Sequence, residues 1–278
     1  MIAPTLEGAA RRRFDTLRVL TRRAGVLVLE GFGKAAVGFK ADDSMVTDVD
    51  GAVQAWLERE IVRVFPEDVV VGEEGFDAAG TVPAARHVWV VDPIDGTNNY
   101  GRGMPGFSIS IGIVRDGVAV GGAVYDPLAG QLFAGWTGQG AWLNERRLRL
   151  APAALDRRSL FAIRTPYAES VPPAVMRWLT RYRLRRAGST ALQLCYVALG
   201  AIAFVYDHRT SLWDIAGAAP VVLEAGACLT SPDGRSLFPI DAPTWTGTPL
   251  PVLAGAPRAH EAALADLTGT TLGATVRR

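Results

Sequence analysis

Six short apolar runs between residues 69 and 143 place the strongest limit on what this chain can fold into. They follow one another closely with Gly or Pro in the gaps, and the first two are rich in β-branched residues. Runs of this kind, bounded by turn residues, are typical of strands, and their close succession favours an antiparallel sheet. The predicted strands cover residues 69–72, 87–91, 107–114, 118–125, 131–136 and 140–143.

Helical periodicity precedes this series of strands. A first helix is predicted over residues 8–32 from the spacing of Phe14, Leu17, Leu20 and Leu27. A polar, turn-rich stretch follows at residues 40–50. One stripe of a second helix is formed by Val53, Leu57, Ile61 and Val64. Thr47 and Asp50 stand three apart just before it, which resembles a capping box with Asp in place of Glu.

Beyond residues 151–158 the pattern changes to alternation. Strands are predicted at 160–164, 183–186 and 203–206, and helices at 174–180, 191–202 and 215–225. Alternation of this kind indicates an α/β layer. Pro220 should kink or end the last helix, and residues 239–251, with Trp245, are interpreted as a surface loop. We therefore expect an N-terminal α+β half, residues 1–150, and a C-terminal α/β half, residues 151–278.

Composition excludes several classes of partner. Lys and Arg number 29 against 28 Asp and Glu, and a net charge of +1 is unsuited to nonspecific binding of nucleic acid polymers. Two cysteines make neither a disulfide framework nor a four-ligand zinc site. No run of about 18 apolar residues and no signal-peptide core occurs, so we expect a soluble, cytoplasmic protein without membrane association.

Acidic residues cluster at the ends of the predicted elements. Glu73 and Glu74 follow one strand, Asp92 and Asp95 follow the next, and Asp214 begins a helix. Neighbouring carboxylates repel one another and are costly to desolvate, which a hard cation such as Mg²⁺ relieves. Residues 96–98 resemble the first turn of a helix, whose free N–H groups suit phosphate. One segment would then supply metal ligands beside a phosphate cradle, as two-metal phosphoryl hydrolysis requires.

Each of these signals alone has a simpler interpretation. The Asp92–Asp95 turn fits a solvated loop, and Glu73 with Glu74 fits surface charge. Asp214 fits a helix N-cap beside a packed indole. Their occurrence together, each at the edge of an apolar element, favours a common site instead.

The joint pattern resembles the inositol monophosphatase family of Mg²⁺-dependent, lithium-sensitive sugar and polyol phosphatases. The family's first signature, W-x-x-D-P-x-D-G-T, matches residues 89–97, and its second, W-D-x-A-[AG], matches residues 213–217. Upstream, G-E-E matches residues 72–74, and K-x-D-x-S-x-V-T-x-x-D matches residues 40–50. The resemblance also includes residues 107–111, 138–144 and 188–191, and it covers residues 8–240.

The resemblance implies a layered α-β-α-β-α sandwich of the inositol monophosphatase and fructose-1,6-bisphosphatase type, a homodimer, and two to three Mg²⁺ ions per active site, with Mn²⁺ as a substitute. Glu73, Asp92 and the carbonyl of Ile94 would hold the first ion. Asp92, Asp95 and Asp214 would hold the second, with Asp92 bridging. A looser third ion would lean on Glu73 through water.

The resemblance also implies catalytic roles. Thr97 and Glu73 would activate a water for in-line attack, and Asp50 would hydrogen-bond Thr97. The phosphate would lie against the N–H groups of Gly96 and Thr97. Lys40 and Glu74 would support the ligands, and Asp42 or Asp43 would reach the third ion. The alcohol part of the substrate would face Asp95, Thr190, Asp207 and Asp214.

The sequence leaves the substrate open. A small phosphate ester of the inositol 1-phosphate kind is our first interpretation. Asp207 is one methylene shorter than the Glu that inositol-phosphate enzymes often carry, and residues 220–226 resemble the histidinol-phosphate branch. Histidinol phosphate or another small metabolite is the alternative. A non-catalytic regulatory protein that kept the fold would have lost at least one of the carboxylates, and all are present.

Overall fold

The computed structural model describes residues 8–40, 43–76, 85–151, 155–167, 170–240 and 245–269. The helices are α1 (Gly8–Gly31), α2 (Asp48–Val64), α3 (Thr97–Tyr100), α4 (Pro173–Arg181), α5 (Thr190–Ala198), α6 (Leu212–Ala216), α7 (Ala219–Glu224) and α8 (Pro257–Thr268). The strands are β1 (Val37–Phe39), β2 (Met45–Thr47), β3 (Val69–Gly72), β4 (His87–Asp95), β5 (Ser108–Arg115), β6 (Val118–Asp126), β7 (Gln131–Trp136), β8 (Gly140–Leu143), β9 (Arg146–Leu148), β10 (Leu160–Ile163), β11 (Arg183–Arg185), β12 (Phe204–Asp207), β13 (Cys228–Thr230) and β14 (Val252–Gly255).

Strands β3 to β9 form a seven-stranded sheet in sequence order. It contains all six predicted strands and β9, which the sequence analysis missed. The prediction of an antiparallel sheet is wrong at one edge, because β3 runs parallel to β4. Parallel neighbours need a connection that returns to the starting end of the sheet, and residues 73–86 separate these two strands.

Strand β4 is longer than predicted and carries a bulge. We expected it to end at Val91, but it continues to Asp95, with a shift of register between Asp92 and Asp95. Pro93 lies inside the shift, where its lack of an N–H group removes one donor from the ladder. A bulge bends the strand and redirects side chains. Both aspartates are therefore presented from an irregular strand end, not from a loop after the strand.

The second sheet has five strands in the order β11-β10-β12-β14-β13. Strand β10 runs parallel to β11 and β12, whereas β14 is antiparallel to β12 and β13. The three predicted strands of this half are confirmed. Strands β13 and β14, helix α8 and the small β1–β2 hairpin were not predicted.

Five layers pack through three apolar cores, the largest of which lies on both sides of the central helices. Helices α1 and α2 pack on one face of the seven-stranded sheet. Helices α5, α6 and α7 lie between the two sheets. Helices α4 and α8 cover the outer face of the five-stranded sheet. The expected α-β-α-β-α sandwich is therefore confirmed.

A buried ion pair fixes α1 to the sheet. The guanidinium of Arg13 donates two hydrogen bonds to the carboxylate of Asp68, at 2.9 and 2.7 Å, and the indole N–H of Trp89 donates to the same carboxylate at 2.9 Å. Among the described residues, no helix combines the length and the apolar character that crossing a bilayer requires.

Two details of the C-terminal half differ from expectation. The predicted helix 215–225 is two helices, and Pro220 lies in the first turn of α7, where its missing N–H group leaves no bond unmade. Trp245 is not on the surface: it is 6% exposed and packs against Phe76 and Trp213, with ring centroids 5.0 and 5.6 Å away. A large indole is stabilised by this contact, whatever the composition of the loop around it.

Glycines let the central helices lie directly on the sheet. A Cβ built on Gly112 of β5 would lie 2.5 Å from the main chain of Ala216 in α6. A Cβ on Gly122 of β6 would overlap the carbonyl oxygen of Gly217. Backbone atoms cannot move aside as a flexible side chain can. Asp214 is therefore held close to the sheet by the absence of side chains beneath its helix.

We predict that Gly112→Ala lowers the free energy of unfolding by about 1–3 kcal/mol, as overpacking of cores does. Gly51→Ala is the matched control, because Gly51 lies in α2 with open space around its Cα. It should raise the free energy of unfolding by about 0.5–1 kcal/mol. Urea denaturation measures both, and equal stability of the two variants would contradict the packing argument.

Candidate active site

Glu73 and Asp92 lie side by side at the end of a parallel strand pair. Gly72 is paired with Val91, and the N–H group of Glu73 donates to the carbonyl of Val91 at 3.1 Å. Asp92 follows Val91 and is 1% exposed. Its carboxylate accepts a hydrogen bond from the N–H group of Ile94 at 3.1 Å, which orients it across the bulge.

Three aspartates converge next to this pair. One carboxylate oxygen from each of Asp92, Asp95 and Asp214 lies within 4.8 Å of the other two. Asp214 comes from the first turn of α6, which packs on β4 and β5. Its carboxylate accepts from the N–H group of Ser211 at 2.8 Å. The sequence prediction that these distant acids share one site agrees with this geometry.

The N-terminus of α5 holds Asp95. The hydroxyl of Ser189 and the N–H group of Ala191 each donate to one oxygen at 2.6 Å, and the N–H group of Thr190 donates to the other at 3.2 Å. Ser189 also caps α5 by accepting from Leu192 at 3.0 Å. The role of Ser189 was missed, although a Ser directly before a helix is a capping signal.

Lys40 joins the two glutamates of the site. Its ammonium group lies 2.8 Å from a carboxylate oxygen of Glu73 and 2.8 Å from one of Glu74. The amide of Gln54 in α2 donates to the carbonyl of Glu74 and accepts from its N–H group, both at 2.8 Å. Gln54 was not predicted, because a polar residue on a helix carries no signal for this contact. Asp42 lies outside the described residues.

Thr97 connects the bulge to helix α2. Its hydroxyl lies 2.8 Å from the carbonyl of Ile94 and 3.2 Å from a carboxylate oxygen of Asp50. The other oxygen of Asp50 accepts from the N–H group of Thr47 at 2.8 Å, as the predicted capping box requires. Burial raises the pKa of Asp50 to about 6 against the opposing hydrogen bonds from Thr47. The carboxylate of Asp50 thus caps helix α2 and also accepts a hydrogen bond from the hydroxyl of Thr97.

Gly96 turns the chain into the single helical turn α3. Its φ of +99° lies in the left-handed region, and a Cβ there would lie 2.8 Å from the carbonyl oxygen of Gly106, so a side chain is excluded. The N–H groups of Gly96 and Thr97 donate to no other described residue. Asn99 fixes the turn by donating to the carbonyls of residues 105, 106 and 187.

Asp207 and Thr190 are paired with each other. The hydroxyl of Thr190 donates to Asp207 at 2.8 Å, and the N–H group of Arg209 donates to its other oxygen at 3.0 Å. Asp207 is fully buried. Arg164, which the sequence analysis did not single out, lies 3.8 Å from the carboxylates of both Asp207 and Asp214.

Burial dominates the electrostatics of the acid cluster. It raises the pKa of Asp92 and of Asp214 well above the ordinary carboxyl range, and neighbouring carboxylates raise both further. It raises the pKa of Asp95 to about 6, although the hydrogen bonds from α5 oppose this. It also raises the pKa of Glu73, with Lys40 opposing. A proton or a cation in the cluster would therefore relieve the repulsion among these carboxylates.

The donor set suits a hard divalent cation. The groups that could coordinate a cation here are carboxylate oxygens, which Mg²⁺ prefers. Among the described residues, Lys40 and Arg164 are the cationic side chains within 4 Å of the site's acids. These two charges do not balance Glu73, Glu74, Asp92, Asp95, Asp207 and Asp214. Bound divalent cations would offset this excess of negative charge and so fit these residues.

A five-layer sandwich that gathers buried carboxylates between its sheet ends and central helices defines a class, the metal-dependent phosphomonoesterases. The model of the inositol monophosphatase family matches residues 12–271. The chain belongs to the inositol monophosphatase family. It is a phosphomonoesterase of that family, whose members act on small phosphate esters such as inositol phosphate.

Individual relatives agree with this assignment. The inositol-1-monophosphatase SuhB of Mycobacterium tuberculosis is 35% identical over 260 residues, which cover 88% of this chain and 87% of that protein. A Thermotoga maritima IMPase superposes with a TM-score of 0.81 at 27% identity and covers 93% of this chain and 98% of its own. SaIMPase-II, in a crystal structure with inositol monophosphate bound, has a TM-score of 0.76 at 27% identity over 93% of each chain.

In the metal-free protein, the raised carboxyl pKa values make stability fall as pH rises. Between the pKa of the unfolded chain, about 4, and the folded value of about 6 or above, the folded chain holds more protons than the unfolded chain. The stabilisation is complete below the lower value and is lost as pH rises through the upper one. Removing one charge from the cluster should therefore stabilise the metal-free fold at neutral pH.

We predict that Asp92→Asn raises the free energy of unfolding of the chelated protein at about pH 7.5 by on the order of 1 kcal/mol or more. The gain should shrink at about pH 5, because this pH lies below the raised pKa values of about 6 for Asp50 and Asp95 and the cluster then carries less negative charge. Urea denaturation at both pH values measures it. Asp15→Asn removes an exposed carboxylate and is the control. The same gain at both pH values would show that repulsion is not its source.

Proposed function

We propose that this phosphomonoesterase requires Mg²⁺ and hydrolyses a small polyol or sugar phosphate of the inositol 1-phosphate kind. The observation that carries the proposal is the convergence of Asp92, Asp95 and Asp214 beside Glu73. The N–H groups of Gly96 and Thr97, which donate to no other described residue, directly follow strand β4, which carries Asp92 and Asp95. Metal ligands and a phosphate cradle therefore occupy one continuous segment, and a distant helix completes the ligand set.

The residues divide into two ligand groups. Glu73, Asp92 and the carbonyl of Ile94 would hold one Mg²⁺, and Asp92, Asp95 and Asp214 would hold another. Bound Mg²⁺ supplies Lewis-acid chemistry, which neutralises charge on the transferring phosphoryl group and lowers the pKa of water. Mn²⁺ accepts similar oxygen ligands and is expected to substitute. The proposal includes the looser third ion beside Glu73.

Thr97, Asp50 and Glu73 would manage the proton of the attacking water. The hydroxyl of Thr97 can donate to Asp50, 3.2 Å away, and accept from water at the same time. A raised pKa near 6 lets Asp50 take and return a proton near neutral pH. Glu73 is a second acceptor, and its salt bridge to Lys40 fixes its orientation.

Phosphate and alcohol would occupy different parts of the site. The N–H groups of Gly96 and Thr97 would hold the phosphate, as N–H groups at a helix start do. The alcohol would leave opposite the attacking water, on the side of Asp214 and the Thr190–Asp207 pair. In-line attack without a covalent intermediate predicts inversion at phosphorus.

The proposal also includes a cytoplasmic homodimer. Strand β11 supports it, because it forms an edge of the five-stranded sheet and all three of its residues are exposed. An exposed edge strand is available for contact with a second copy. Light scattering of the purified protein tests this part independently of activity.

We predict Mg²⁺-dependent release of phosphate from inositol 1-phosphate, and background release only in Asp92→Asn. The amide keeps the shape of the side chain and removes the charge shared by both ligand groups. Colorimetric phosphate determination with and without chelator measures this. Asp15→Asn should keep full activity. Mg²⁺-dependent turnover in Asp92→Asn would overturn the ligand assignment.

We predict uncompetitive inhibition by millimolar Li⁺. The Asp92–Asp95 bulge and Asp214 are intact, so Li⁺ should replace the second cation before phosphate leaves. Initial rates across substrate concentrations should show kcat and KM falling together. Unchanged turnover at these concentrations would contradict the prediction. Na⁺ at equal ionic strength is the control.

A further inference from the structure

Arg164 stands at the edge of the acid site in a position that the proposed chemistry does not use. It follows β10, which pairs in parallel with β12, Ile163 opposite Tyr206. Arg164 and Asp207 are therefore neighbours at the carboxyl end of this sheet. The side chain of Arg164 is 41% exposed, whereas those of Asp207 and Asp214 are 0% and 13% exposed. The guanidinium thus lies on the solvent side of both acids.

The guanidinium is near two carboxylates without donating to either. It lies 3.8 Å from one oxygen of Asp207 and 3.8 Å from one oxygen of Asp214. Those oxygens already accept from the hydroxyl of Thr190 and the N–H group of Ser211. Among the described residues, the guanidinium of Arg164 donates no hydrogen bond. Its five donors remain available to a bound molecule.

The charge of Arg164 extends over the whole acid cluster. Burial raises the pKa of Asp207, and Arg164 is the largest opposing influence. The same guanidinium opposes the rise in the pKa of Asp214, Asp95 and Glu73. When cations neutralise those carboxylates, less negative charge remains to offset the guanidinium. The positive charge of the guanidinium is then available to attract an anionic group of a molecule that enters from solvent.

Two further polar groups lie beyond the carboxyl ends of β10 and β12. The rings of Tyr167 and His208 stack with centroids 4.4 Å apart and planes 20° from parallel. The hydroxyl of Tyr167 and Nδ1 of His208 are buried and have no hydrogen-bond partner in the described structure. Tyr167 lies three residues after Arg164, and His208 directly follows Asp207. Polar groups left unpaired in this way are costly unless a ligand completes them.

We propose that Arg164 is a specificity-determining residue that selects phosphate esters whose alcohol part carries a second anionic group, a carboxylate or another phosphate. The inference rests on the proposed phosphomonoesterase chemistry and revises the proposed substrate, because the alcohol part of inositol 1-phosphate carries no second anionic group. A guanidinium with free donors binds such a group in a bidentate, charge-assisted manner. An uncharged polyol gains less binding free energy from the guanidinium of Arg164. The ammonium group of histidinol phosphate is repelled by the same charge.

Matched pairs of esters test the proposal. Glycerate 2-phosphate differs from glycerol 2-phosphate by a carboxylate in place of one hydroxymethyl group. Fructose 1,6-bisphosphate differs from fructose 1-phosphate by a second phosphate. For each pair, the ratio of kcat/KM is measured in the wild type, Arg164→Gln and Arg164→Lys. The first pair reports on a carboxylate and the second on a phosphate.

In at least one pair, we expect the wild type to favour the ester whose alcohol part carries the carboxylate or the second phosphate. Arg164→Gln should reduce this preference at least about tenfold, mainly by raising the KM of that ester. Arg164→Lys, which keeps the charge but not the fork, should retain part of the preference. Histidinol phosphate should be used better by Arg164→Gln than by the wild type. Arg63→Gln removes an exposed arginine of α2 and should change no ratio.

Failure of the inference differs from failure of the proposed function. Release of phosphate from both members with the same ratio in wild type and Arg164→Gln overturns the inference alone, because a residue that only neutralises Asp207 would affect every ester equally. No release from any ester, with the generic monoester p-nitrophenyl phosphate also inert, overturns both. Arg164→Lys decides the matter if thermal melting shows that Arg164→Gln does not fold.

Discussion

Repulsion among buried carboxylates is the constraint on which this structure depends. Asp92, Asp95 and Asp214 approach within 4.8 Å in a site from which water is largely excluded. The chain holds each of them with main-chain donors, from Ile94, from the start of α5 and from Ser211 respectively. Each donor lies in a short, rigid turn at an element end. The metal-free fold therefore stores an unfavourable interaction that its packing elsewhere must exceed.

Contacts between the layers of the sandwich hold these carboxylates together despite their repulsion. Asp95 belongs to the seven-stranded sheet, yet its hydrogen bonds come from α5 in the central layer. Asp214 lies on α6, which the side-chain-free surface of Gly112 allows to approach the sheet. Acids from distant parts of the chain thus meet where the seven-stranded sheet meets the central layer of helices. The outer pairs, such as Arg13 with Asp68, fix the frame at a distance from the chemistry.

Local patterns in the sequence predicted most of the fold, and long-range contacts account for what they missed. Strands β5 to β8 are apolar runs between turn residues, and helices α1 and α2 have helical periodicity. The signatures around Asp92 and Asp214 indicated acids that the fold brings together. The bulge in β4 depends on the position of Pro93 in the hydrogen-bond ladder between β4 and β5, and this pairing cannot be read from the sequence. Trp245 is buried by partners about 30 and 170 residues away. Arg164 lies outside every motif, and only the pairing of β10 with β12 brings it to the site.

The aromatic contacts beside Asp214 have an optical consequence. Trp213, next to Asp214 in sequence, lies 5.6 Å from Trp245 with ring planes at 78°, and Phe76, two residues after Glu74, contacts both. Two indoles at this separation and angle couple their transitions and contribute a near-ultraviolet circular dichroism signal that depends on their mutual orientation. The signal therefore records, without a label, any change in the position of the helix that carries Asp214 relative to Trp245.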